Sequence, residues 1–264
     1  MNIISFSGGK DSTALVLWAR ENLIEFETVF CDTGWEHPIT YAYIEYINTT
    51  ILNGSLITVK SKKYEGFADL AIKKKRSPSS KARFCTEHLK LVPMRDYIYE
   101  KYSGGVEIFL GIRADESFSR SQMTERSFDD TMYGCWVNRP LLQWSADDEF
   151  DVHKKHGIEP NSLYKLGMKR VGCMPCIMSN HGEMRSIIRQ FPEVIEKLAN
   201  LENTLGRTFF PPNYIPDWAC TRTDEATGKK IPTIADVVLY LAANPDQEVL
   251  FEQPSCMSFY NICE

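Results

Sequence analysis

The sequence predicts an α/β fold: a doubly wound, mainly parallel sheet with a helical C-terminal region. Three observations carry that prediction. Short apolar runs alternate with helical stretches over the first half of the chain, as in parallel sheets covered on both faces. The turns richest in polar and glycine residues all follow strands, where ligands of such sheets bind. From about Asp147 onward the pattern turns to helices and loops, with proline joints at Pro211-Pro212 and Pro254.

Taken in order, Asn2 to Phe6 reads as a first strand running into Gly8-Gly9. Thr13 to Glu21 follows as a helix apolar nearly all round, the mark of an element packed deep in a fold. Glu27 to Cys31 is a second strand ending at Asp32-Thr33-Gly34, Thr40 to Thr49 a helix, and Ser55 to Val59 a third strand. After a basic stretch and the loop Ser77-Pro78-Ser79-Ser80, a helix is expected from about Glu87 to Tyr102, then a fourth strand over Val106 to Ile112. The division expected is a nucleotide-binding unit over 1–146 and a helical, cysteine-bearing region over 147–264.

Bulk properties exclude several classes. With 264 residues the chain can bury a sizeable core. The 30 basic and 35 acidic residues, a net charge of -5, do not advertise nucleic-acid binding. No run approaches the ~20 apolar residues of a membrane span, and Met1 to Phe6 reads as a strand rather than a signal peptide. A cytoplasmic setting is expected. In that setting the 8 cysteines point to metal binding or catalysis more than to disulfides.

Ser7-Gly8-Gly9-Lys10-Asp11-Ser12 is the candidate phosphate loop. A strand entering a glycine turn and then a helix aims backbone N–H groups and the positive end of the helix dipole at an anion. Gly8 and Gly9 permit close approach, Lys10 supplies a cation, and Ser7 and Ser12 add hydroxyls. Asp11 is odd in a pure anion site; its carboxylate makes sense where Mg2+ bridges it to phosphate oxygens. The loop is not a Walker A motif, because Ile4 holds the first glycine position and Asp11 separates lysine from serine.

The string Ser7 to Ser12 resembles the S-G-G-x-D-S signature of PP-loop ATP pyrophosphatases. Further strings resemble the phosphoadenosine phosphosulfate (PAPS) reductase branch: Asp32-Thr33-Gly34-Trp35-Glu36-His37-Pro38, Arg83-Phe84-Cys85 through Lys90, and Gly111-Ile112-Arg113 through Ser117 with Arg120. Arg139 to Trp144 and Leu163 to Gly167 match later elements. The resemblance implies adenine against Asp32 to Gly34, with Arg83, Lys90, Arg113 and Arg120 facing phosphate or sulfate, oxyanions that guanidinium forks suit.

Cys173-Met174-Pro175-Cys176 offers two metal ligands at matched reach, Cys85 a third and Cys256 the fourth, with Cys263 and Cys220 as substitutes. The resemblance to cluster-bearing members, among them DNA phosphorothioation sulfurtransferases, implies a [4Fe-4S] cluster. A Cys3His zinc site from Cys85, His88, Cys173 and Cys176 is the alternative. Cys31 and Cys135 read as ordinary buried residues.

Three functions compete. One is ATP-dependent chemistry, in which the α-β phosphate bond is cleaved and an acceptor is adenylated for sulfur transfer, with Lys10 and Asp11 catalytic. A second is sulfonucleotide reduction of PAPS or its 3′-unphosphorylated analogue (APS) to sulfite by a thiolate, for which Cys263 is the candidate. A third is a non-catalytic nucleotide- and cluster-binding subunit of a nucleic-acid modification complex. The acceptor is a nucleic acid or a protein, and a homodimer is allowed. The basic stretch Lys60 to Lys75 reads as solvated surface, with contact to a nucleic-acid backbone as its alternative.

Overall fold

The computed structural model describes residues 1–130 and 133–245. Strand β1 (Asn2–Phe6) enters helix α1 (Lys10–Asn22), and β2 (Phe26–Cys31) leads to α2 (Pro38–Thr50). Then come β3 (Ile57–Val59), α3 (Phe67–Lys74), a single turn α4 (Phe84–Thr86), α5 (Val92–Lys101), β4 (Glu107–Phe109) and the short α6 (Phe118–Ser121). A hairpin of β5 (Arg126–Asp129) and β6 (Cys135–Asn138) closes the sheet. Helices α7 (Ala146–Lys155), α8 (His181–Gln190) and α9 (Pro192–Leu205) follow, then a two-residue pair β7 (Arg222–Thr223) and β8 (Lys230–Ile231), and α10 (Ile234–Ala243). No helix among the described residues is long and apolar enough to cross a membrane.

The six-stranded sheet has the order β3-β2-β1-β4-β6-β5 and is parallel except for β5, which runs antiparallel to β6. The α/β class with a mainly parallel sheet is therefore as expected. The chain leaves β1 towards β2 on one side and returns to β4 on the other. Such a reversal opens a crevice beyond the carboxyl ends of the two strands.

Alternation sends successive side chains of β1 to opposite faces. Ile4 and Phe6 join Leu15, Leu17, Ile44 and Ile47 in the core beneath α1 and α2. Ile3 joins Val29, Met94, Ile98 and Ile108 beneath α5. A third core gathers Trp35, Phe67, Leu163, Met184, Leu198 and Phe210, tying the helical second half to the turn after β2.

Val152 of α7 and Ile158 belong to the α1/α2 core, so the start of the second half packs on the first unit. The helix expected from about Glu87 to Tyr102 is present and runs unbroken to Lys101, with a distorted first part. Residues Glu87–Leu91 form a π-helical turn in which the Val92 amide donates to the Glu87 carbonyl. Pro93, with no N–H to give, sits within the first residues of α5. Such turns widen a helix locally and re-aim its side chains, here Lys90.

Candidate functional site

The crevice between β1 and β4 is lined by Ser7 and Ser12 from the loop, Gly111 and Ile112 from beyond β4, and the cations Lys90 and Arg120. Within the loop, the Ser7 amide and hydroxyl both donate to Ser12 Oγ, at 3.2 and 3.0 Å. Ser12 Oγ donates in turn to the Gly9 carbonyl at 3.0 Å. Gly8 holds φ +79, and a Cβ there would lie 2.9 Å from Ile44 Cγ1. Gly111 passes so close that a Cβ would sit 2.8 Å from the Asp11 carbonyl oxygen. Gly8 thus makes room for the Ile44 and Thr40 side chains, and Gly111 lets the segment after β4 meet the backbone of the loop.

Lys10, Asp11 and Arg113 face elsewhere. Lys10 Nζ lies 2.8 and 2.7 Å from the two Asp11 oxygens and 2.9 Å from Glu149 Oε2. Arg113 Nε donates to Asp11 Oδ1 at 2.7 Å, and its Nη1 donates to both oxygens of Asp115. Asp11 is 1% exposed and Glu149 not at all. The expected roles of Lys10 and Arg113 at phosphate, and of Asp11 at magnesium, therefore meet a different geometry: a buried cluster of two cations and two carboxyls behind the loop. Burial above all, with the Asp11 carboxylate adding to it, pushes Glu149 up to about 8 against the pull of Lys10.

Glu149 was not legible as a site residue. It looks like one more acid on the polar helix α7, and only packing of α7 on α1 brings it to Lys10. The same face carries His153, whose Nε2 meets the Lys10 carbonyl at 2.9 Å. Tyr164 accepts the Lys10 amide at 2.9 Å, and the fully buried Asn161 reaches the Gly8 carbonyl at 3.4 Å. The second half of the chain braces the loop from behind.

The turn after β2 is built around two carboxylates. Asp32 accepts from the Gly34 amide at 2.9 Å and the Tyr41 hydroxyl at 2.6 Å, and pairs with Lys60 at 2.8 Å. Thr33 donates to Glu36 at 2.6 Å and lies 3.5 Å from Cys173 Sγ. Glu36, 7% exposed, also lines the crevice.

A second cavity adjoins the first. Cys85, Cys173 and Cys176 line it, with Arg83 and Arg170, and Lys90 and Gly172 belong to both walls. Arg83 thus stands with the cysteines and not in the β1/β4 crevice. Burial pushes the Cys173 thiol up to about 12, helped by Glu36 and opposed by Lys90. Burial also raises Cys85. It works against the charge of Lys90, but Cys173 and Glu36 outweigh it and raise that pKa. Among the described residues no three His, Cys, Asp or Glu side chains close on a single point as a metal ion requires. His88 does not line the cavity; its ring packs against Tyr64. Cys256 and Cys263 lie outside the described residues, and Cys220 is buried in the third core.

The profile of the phosphoadenosine phosphosulfate reductase domain matches residues 1–179. The chain belongs to that family. An uncharacterised 37.8 kDa protein of Escherichia phage 186 is 33% identical, aligning with all of this chain and 97% of its own length. Two uncharacterised proteins of Methanocaldococcus jannaschii align over only 41% and 47% of theirs. Adenosine 5'-phosphosulfate reductase of Geobacillus thermodenitrificans is 27% identical over 57% of this chain and 61% of that enzyme. Among solved structures, phosphoadenylyl-sulfate (PAPS) reductase from Candida auris superposes with a TM-score of 0.52 at 18% identity, covering 65% of this chain and 80% of that one. The PAPS reductase family match ends just past the Cys173–Cys176 turn, so both cavities fall within it.

Proposed function

We propose that this family member binds ATP or a related adenine nucleotide in the β1/β4 crevice and cleaves its α-β phosphate bond, adenylating an acceptor in sulfur-transfer chemistry. The supporting observation is the crevice itself: it lies where β1 turns into α1, with Ser7 and Ser12 from that turn and the cations Lys90 and Arg120 among its lining residues. Backbone N–H groups hold phosphate oxygens there, and the two cations offset charge that builds on a departing pyrophosphate. Mg2+ arriving with the nucleotide would add to that offset.

Sulfonucleotide reduction is the second reading, favoured by the similarity to an adenosine 5'-phosphosulfate reductase. It needs a thiolate. The candidate Cys263 lies outside the described residues; among those described, the one cysteine on the crevice wall, Cys31, is pushed up to about 12 by burial and donates its S–H to the Lys90 carbonyl at 3.4 Å. That is the opposite of an activated nucleophile.

For the cysteine cavity we propose a [4Fe-4S] cluster held by Cys85, Cys173 and Cys176, with a fourth ligand from Cys256. The observation behind this reading is that three thiols, Cys85, Cys173 and Cys176, line one cavity, and thiolates are the ligands such clusters take. Arg83 and Lys90 would balance the thiolate charge. The cluster would supply electron storage or a docking point for sulfur.

The deciding experiment incubates purified protein with ATP·Mg2+ or with PAPS and quantifies pyrophosphate and sulfite. Pyrophosphate from ATP supports the first reading; sulfite from PAPS with no pyrophosphate from ATP replaces it with the second.

A further inference from the structure

Lys10 opens α1, yet its ammonium is held by carboxyl oxygens of Asp11 and Glu149 and does not line the crevice. Asp11 is a neighbour in the loop. Glu149 is not: it arrives from α7, fully buried, with Oε2 on Lys10 and Oε1 2.9 Å from Arg113 Nε. A carboxyl placed against the loop's cation occupies the position that a phosphate oxygen of a ligand would claim.

We propose that Glu149 is a selectivity residue of the nucleotide site, an internal competitor that yields Lys10 only to a ligand carrying a polyphosphate chain. This inference rests on the reading of the crevice as a nucleotide site. A single phosphate is met by the loop amides, Ser7, Ser12 and Arg120, and does not draw Lys10 out. A pyrophosphate group brings enough charge, far enough along the loop, to outbid Glu149 while Asp11 keeps its contact with Lys10. The groups facing Glu149 are Lys10 and Asp11 from α1, Arg113 and its partner Asp115 from beyond β4, and His153 one turn along α7, which burial keeps neutral. Near neutrality burial favours a protonated Glu149. It still accepts from Lys10 in that form, which Gln reproduces and Leu does not.

The test compares wild type, Glu149→Gln and Glu149→Leu in calorimetric titrations with ATP and with AMP. Glu149→Leu should bind ATP about tenfold more tightly, the scale of one charge-assisted contact, with AMP affinity unmoved. Glu149→Gln should restore the wild-type ATP affinity, and Lys10→Gln should abolish the gain of Glu149→Leu. A residue that merely supports the loop predicts the reverse, weaker binding of both ligands; that result, or equal ATP affinity in all variants, overturns the proposal. Glu149→Ala replaces the leucine variant should the latter not fold. Trace acylation of the Lys10 amine, read by mass spectrometry without nucleotide, gives an independent measure. Faster labelling in Glu149→Leu than in wild type or Glu149→Gln supports the competitor role, and equal labelling overturns it. If no variant binds ATP, the nucleotide reading falls, and the labelling alone decides whether Glu149 restrains Lys10.

Discussion

The Met174 amide donates to the Trp35 carbonyl at 2.9 Å, stitching the turn that carries Cys173 and Cys176 to the turn after β2. Two side chains repeat the connection: Trp35 Nε1 donates to the Pro175 carbonyl at 3.1 Å, and Thr40 Oγ1 to the Val171 carbonyl at 2.6 Å. Thr40 and Val171 are both buried. Thr40→Val keeps the shape and leaves that carbonyl without its hydroxyl donor. Urea denaturation should show a loss of about 1–3 kcal/mol.

Gly111→Ala should impair ligand binding as well as stability. Its new methyl would press on the Asp11 carbonyl carbon at 3.0 Å and the Ser12 amide at 3.2 Å, shifting the loop itself. A loss of about 1–3 kcal/mol is expected for such overpacking, with weaker ATP binding by calorimetry.

The raised pKa of Glu149 has a definite sign in stability. Between 4.5 and about 8 the folded protein keeps a proton that the unfolded chain has released, so this residue makes stability fall as pH rises, levelling off above about 8. Glu149→Gln has no such proton. The melting temperature of Glu149→Gln relative to wild type should therefore rise across this interval and level off above about 8.

Cys85→Ala and Cys173→Ala should each abolish retention of iron in anaerobically purified protein, measured by metal analysis and visible absorbance. Cys135→Ala should leave the iron content unchanged, because Cys135 lies in the core beneath α5 and not in the cysteine cavity.

The parallel strands were legible because β1, β2 and β4 are apolar runs buried on both faces, each bounded by turn residues. The hairpin of β5 and β6 was not. It is two four-residue pieces, Arg-Ser-Phe-Asp and Cys-Trp-Val-Asn, with Phe128 and Trp136 turned outward, so neither forms an apolar run. The glycine loop Ser7 to Ser12 and the Cys173–Cys176 turn announced themselves by local spacing. Their environment did not. That Lys10 meets Glu149, that Arg83 stands with the thiols and that Lys90 walls two cavities all depend on packing between segments 50 or more residues apart, which a local pattern cannot encode.

The stitching of Trp35 and Thr40 to residues 171–175 bears on how the chain can be cut or recombined. A fragment ending ahead of Val171 would strand the indole N–H and the threonine hydroxyl in a dry interior, alongside Glu36 and with no cysteine turn to lean on. The two cavities are consequently inherited together: a swap of either half between relatives must carry its matching edge, or the hybrid will not assemble.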